Sequence, residues 1–186
     1  MLVECGLARL TTRDGSEFTF RPSFARIAGL GSPHEIVQIF AGLHGPNAAT
    51  DATYVLACLC DQEDPTPLIG CTDLTDGAEP VKRPGLMPES EQIIIAQHLM
   101  RHGIVGKARP GDASGKFSDR FEAAEYIAAA RVHLGLSSAD AEALSMTEFQ
   151  TMMAMKFPDT AKRERDIPSR EQYDAAMQAI NKARRG

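Results

Sequence analysis

His98 and His102 stand four residues apart in a stretch that the surrounding pattern makes helical, a spacing that brings two imidazoles to one ion. Position 99 is leucine, so the metalloprotease signature, which needs glutamate there, is not present, and no third ligand is fixed by spacing. The plainer expectation is that His98 packs at the edge of a core while His102 occupies a last helical turn, where a cation favours the helix dipole. Cys58 and Cys60, with Cys71, could supply thiolates. Structural zinc, however, usually takes two to four residues between ligands, and positions i and i+2 of a helix point apart. Buried thiols are the expected outcome. Gly103-x-x-Gly106-Lys107 lacks the leading glycine of a phosphate loop and has Ala108 in place of the magnesium-holding hydroxyl. Gly29-x-Gly31 precedes a helix with no dinucleotide pattern after it, and there is no Gly-x-Ser-x-Gly elbow. No catalytic, cofactor-binding or metal-binding residues are therefore assigned, and no enzyme is expected.

The most unusual segment is Ser145–Phe157, which holds four of the eight methionines. Met146, Phe149, Met153 and Phe157 make one stripe at helical spacing; Met152 widens it and Met155 lies on another side. Such a stripe packs into an ordinary core or grips apolar helices of varied sequence, because unbranched, polarizable methionine re-packs easily. Met146, Phe149, Met152, Met153, Met155 and Phe157 are the candidate partner-binding residues.

These residues must be positioned by a helix-dominated α+β fold: an N-terminal β-hairpin on a bundle of about five to six helices, with a C-terminal helical tail. Two short extended runs, Leu2–Leu10 and Glu17–Arg21, flank Asp14-Gly15, a dipeptide suited to a hairpin turn. Ser32-Pro33 opens a helix through Leu43, and Asp51–Cys60 is a second, nearly all-apolar helix. Asp61–Pro88, with five prolines and three glycines, reads as a long irregular connection with one strand at Leu68–Cys71. A third helix from about Pro88 to His102 has Ile94, Ile95, His98 and Leu99 as its apolar face and Gly103 as a left-handed stop. A polar loop, Lys107–Lys116, leads to a fourth helix, Ser118–Leu134, with Phe121, Ala124, Ile127, Ala128 and Arg131 on one face and Gly135 closing it. Ser137 with Asp140, and Ser145 with Glu148, have capping-box spacing for two more helices, the last ending at Phe157-Pro158. The body is thus 1–158. Residues 159–186 read as a charged tail, amphipathic helical or partly disordered, with seven basic and five acidic residues, in which Ser169 and Gln172 have the spacing to cap a final helix.

The chain has 186 residues, 43% apolar and 24% charged, with a net charge of −5. That length supports a core without staples, and the acidity argues against a protein whose main work is coating nucleic acid or anionic lipid. The tail's Lys162, Arg163, Arg165, Lys182, Arg184 and Arg185 are interleaved with acids and have only Tyr173 for stacking, so a solvated face is expected rather than nucleic-acid contact. No apolar run approaches a membrane span, and Met1–Leu10 has no basic region of a secretory signal. Cys5, Cys58, Cys60 and Cys71 are then expected to be reduced thiols in a cytosol.

Three segments, Glu4–His44, Lys82–Arg109 and Phe121–Pro158, resemble a family of small proteins of long-tailed bacteriophages, the tail assembly chaperones encoded among the tail genes near the tape-measure protein. The resemblance spans Glu4 to Pro158. It is strongest in Met146-Thr147-Glu148-Phe149, with the helix's end at Lys156-Phe157-Pro158, and in Ile104-Val105-Gly106-Lys107-Ala108-Arg109. It implies a non-enzymatic protein of the host-cell cytoplasm, absent from the mature virion, with no cofactor. The implied partners are the tape-measure protein and the tail-tube protein, with self-association also open and no membrane or nucleic acid. A phage regulatory protein that binds a host factor is the alternative.

Overall fold

A computed structural model describes residues 6–73, 81–107 and 118–158. The chain divides into two compact units, Met1–Met153 and Ala154–Gly186. The fold is α+β and helix-dominated, with eight helices and two antiparallel hairpins among the described residues.

The first hairpin pairs β1 (Ala8–Thr11) with β2 (Glu17–Phe20), placing Leu10 opposite Phe18 and Arg9 opposite Thr19. Asp14 shapes its turn by accepting from Thr12 Oγ1 and, at 3.2 Å, from the Ser16 amide, which holds its carboxyl below the usual carboxylate range. Gly15, at φ 89°, takes the left-handed position that the sequence assigns to Asp14-Gly15. Phe18 and Phe20 are buried, and the chain then turns into α1 (Phe24–Ala28), a short helix not expected from the sequence. Its cap is Ser23, immediately after Pro22.

Helix α2 (Pro33–Gly42) begins as expected. The Ser32 side chain accepts from the Glu35 amide, Glu35 accepts from the Ser32 amide at 2.8 Å, and Pro33 sits at the first position. Helix α3 (Ala48–Leu59) buries Ala52, Val55, Leu56 and Leu59 completely and makes its main contact with α5 (Glu89–Met100). The end of α3 also extends the first sheet. Phe20 bridges to Cys60, with Arg21 N donating to Leu59 O and Asp61 N to Thr19 O.

The connection expected to be irregular is instead built as α4 (Thr66–Ile69), β3 (Gly70–Asp73) and β4 (Val81–Pro84), with Gly70 paired to Pro84. Leu68 and Ile69 are therefore helical and only Gly70 and Cys71 belong to the strand. Gly70, at φ 81°, has no room for a side chain, since a Cβ there would lie 2.4 Å from Arg83 O. Gln92 ties this hairpin to α5: its buried amide donates to Ile69 O and Met87 O, both at 2.9 Å, and accepts from Thr53 Oγ1. This bonding turns α5. Its buried face is Gln92, Ala96, Leu99 and Met100, whereas Ile94, expected inside, is 65% exposed.

Gly103 is not a helix stop. The helix passes through it as a π-turn, Arg101–Val105, and ends at Gly106 with φ 77°. Gly103 is buried because a Cβ would come within 2.8 Å of Ile27 Cδ1 and 3.1 Å of Pro22 Cβ, so its lack of a side chain lets α1 approach. The fourth expected helix starts five residues late, as α6 (Ala123–Ala129), since Ser118 spends its hydroxyl on a turn with Arg120 O. Its inward residues are Ala123 and Ala130 with half-buried Tyr126 and Ile127, and Ala124, Ala128 and Arg131 face solvent. A second π-turn, Ala130–Leu134, closes at left-handed Gly135. The short helix α7 (Ser138–Ala143) is capped by Ser137, and α8 (Met146–Lys156) follows.

Candidate partner-binding helix

Helix α8 carries all but one of the candidate residues; Phe157 lies just past its end. Its start is fixed by a reciprocal cap: Ser145 N donates to Glu148 Oε2 at 2.9 Å and Glu148 N to Ser145 Oγ at 3.2 Å. Thr147 is fully buried and meets His102, whose Nδ1 lies 2.8 Å from Thr147 Oγ1. One turn on, Gln150 caps the end of the π-turn, accepting from the Lys107 amide at 2.8 Å and donating to Val105 O at 3.1 Å.

The six candidate residues separate into three groups. Met146 and Phe149 are core, and neither is available to a partner while the fold is intact. Phe149 belongs to a four-ring cluster, with its ring 6.0 Å from Phe24 and 5.7 Å from Tyr126, and Tyr126 stacks on Phe121 at 5.3 Å. Met146 and Phe149, two of the six candidate contact residues, are therefore buried in the folded chain. Met153 packs half-buried on the same core, and Met152 is half-buried. Met155 is 79% exposed and Phe157 37% exposed, so the accessible apolar surface is at the C-terminal end. The stripe is therefore an anchor in its first two turns, and the residue off the stripe, Met155, is the most accessible.

His98 and His102 do converge, with ring centroids 4.5 Å apart. Burial pushes both imidazoles below their ordinary pKa, and Arg101 adds to it for both; His98 acts on His102 as well. His98 Nε2 is buried with no hydrogen-bond partner among the described residues. Among the described residues no cluster of three or more His, Cys, Asp or Glu is arranged to hold a metal ion. Cys58 is half-buried and Cys60 buried, and burial raises the pKa of both thiols, which favours the protonated form. The carbonyls of Cys58 and Cys60 accept from Arg26 Nη1, and Arg26 Nη2 pairs with Asp61 at 3.1 Å. Cys5, the basic tail residues, Tyr173 and the Ser169–Gln172 cap lie outside the described residues.

A family model matches residues 44–175, more than half of the chain. The chain belongs to the family of unknown function DUF6246. The match to DUF6246 takes in α3 to α8, and so the second hairpin, the histidine pair and the whole methionine helix, while β1, β2, α1 and α2 precede it. No curated protein and no solved structure matches the chain. Sequence reasoning missed Gln92, Thr147 and Gln150 as positioning residues of the DUF6246 body. Each is a polar residue on a helix whose partner is a backbone carbonyl, an amide or a ring distant in sequence, and only the glutamines' placement beside apolar neighbours hinted at it.

Proposed function

We propose that this chain is a tail assembly chaperone, a non-catalytic protein that lends apolar helix surface to the tape-measure protein until the tail-tube protein encloses it. The observation that carries the reading is the division of α8: a start locked by its cap and by Phe149, and an end at which Met155 is 79% exposed. A methionine on a helix whose other turns are fixed offers adaptable contact without a large ordering cost. The resemblance in Phe121–Pro158 supplies the partner. A tape-measure protein is a long, largely helical chain, and many weak contacts along it add to a strong one. No helix among the described residues is long and apolar enough to cross a membrane. Such a chaperone acts in the host-cell cytoplasm and leaves before the virion is complete. Co-expression tests it: the cognate tape-measure protein is expected to stay soluble and co-purify only when this chain is present. A tape-measure protein that is soluble alone and never co-purifies would overturn the proposal.

A further inference from the structure

The outer edge of β1 presents exposed backbone. In the β1–β2 ladder Thr12 N donates to Ser16 O, which makes Leu10–Phe18 and Ala8–Phe20 the hydrogen-bonded pairs. Thr19 confirms the alternation. Its amide donates to Gln62 Oε1 and its carbonyl accepts from Asp61 N, both on the side away from β1. The backbone groups of Arg9 and Thr11 must then point outward from β1, and no described residue pairs with them. Both residues are exposed. An unpaired, exposed strand edge is a template for another strand.

Beside this edge lies a groove of about 630 Å³, lined by Leu10–Asp14 of the hairpin and by Leu68, Leu86, Met87 and Glu91. Leu86, at its rim, is 68% exposed. The two faces of an added strand would meet different chemistry. Leu10 faces the groove and its apolar wall of Leu68, Leu86 and Met87, with Thr11 also lining it at the strand edge, whereas Arg9 does not line it and lies on the opposite face of the pleat from Leu10. Arg9 is opposite Thr19, and its guanidinium forms no ion pair with any described residue. We propose that the β1 edge binds an extended segment of a partner polypeptide by strand addition, one whose alternate residues are apolar toward Leu10, Leu68 and Leu86 and acidic toward Arg9. A second copy of this chain fits less well, because β1 against β1 places two arginines on one face of the same four-residue ladder.

The probe is a capped hexapeptide of alternating valine and glutamate, with an alternating valine and lysine hexapeptide as control, titrated into the 15N-labelled full chain. The valine–glutamate peptide is expected to shift the amides of Arg9 and Thr11 and to bind at least tenfold more tightly than the control. Thr11→Pro removes an outward N–H and no ladder bond, and is expected to abolish binding. Arg9→Glu, which leaves the backbone intact, is expected to reverse the preference between the peptides. Shifts confined to other residues, equal affinity for both peptides, or no binding at millimolar concentration would overturn the proposal. A concentration-dependent dimer that Thr11→Pro abolishes would overturn it too, by giving the edge to a second copy.

Discussion

Replacing Gln92 by leucine removes the bonds that join α5 to the second hairpin without emptying the site. Gln92 is buried, and its Nε2 donates to Ile69 O and Met87 O, both at 2.9 Å. Leucine has similar bulk and no donor, so both carbonyls lose a partner. Thr53 loses less, because its hydroxyl has one proton and keeps Ala49 O as an acceptor at 3.0 Å. Two orphaned carbonyls at about 1–3 kcal/mol each, less about 1 kcal/mol for the added apolar burial, give a net loss of about 3 kcal/mol. Urea unfolding followed by circular dichroism measures it, with an unchanged slope showing that only stability has moved. Amide exchange should rise first around Ile69–Gly70 and Leu86–Met87, where the hairpin base is released. A cost below about 0.5 kcal/mol, the size of an ordinary surface substitution, would refute the reasoning that Gln92 fixes the rotation of α5.

The remaining predictions concern the core, the helix junctions and pH. Phe149→Ala should cost about 3–5 kcal/mol by emptying the four-ring cluster, whereas Met155→Ala should stay within about 0.5 kcal/mol, both read from urea midpoints. Gly103→Ala should destabilise by about 1–3 kcal/mol, since the new methyl meets Ile27 and Pro22, and a thermal melt checks it. Because burial holds His98 and His102 below the ordinary imidazole value of 6.5, the unfolded chain takes up protons that the folded chain refuses. Their contribution is complete above pH 6.5 and is lost as the pH falls through the folded values. The urea midpoint should therefore drop between pH 7.5 and 5.5, and His98→Phe should flatten that slope. Asp14, Glu35 and Asp64, all shifted downward, titrate below this window.

Local signals in the sequence were legible where the chemistry is local. Asp14-Gly15 gives the first hairpin, and Ser32 with Glu35, Ser137 with Asp140 and Ser145 with Glu148 give three helix starts, because each pair closes within one turn. The errors fall where a distant partner decides. Gln92 faces inward because carbonyls at 69 and 87 await it, which turns Ile94 outward. Gly103 looked like a stop because glycine commonly ends helices, yet its role is set by Ile27 and Pro22 across a helix contact. The methionine stripe had the spacing of either a core or a docking face. The distant rings of Phe24 and Tyr126 around Phe149 make the start of the helix core, whereas Met155 near its end is exposed.

Site-specific photo-crosslinking tests the central claim most directly. A benzophenone side chain is placed at position 155 in one variant and at position 149 in another, with the cognate tape-measure protein co-expressed. The account predicts a crosslink to the tape-measure protein from position 155 and none from position 149 in folded chain. No adduct from 155, or equal adducts from both positions, would contradict it.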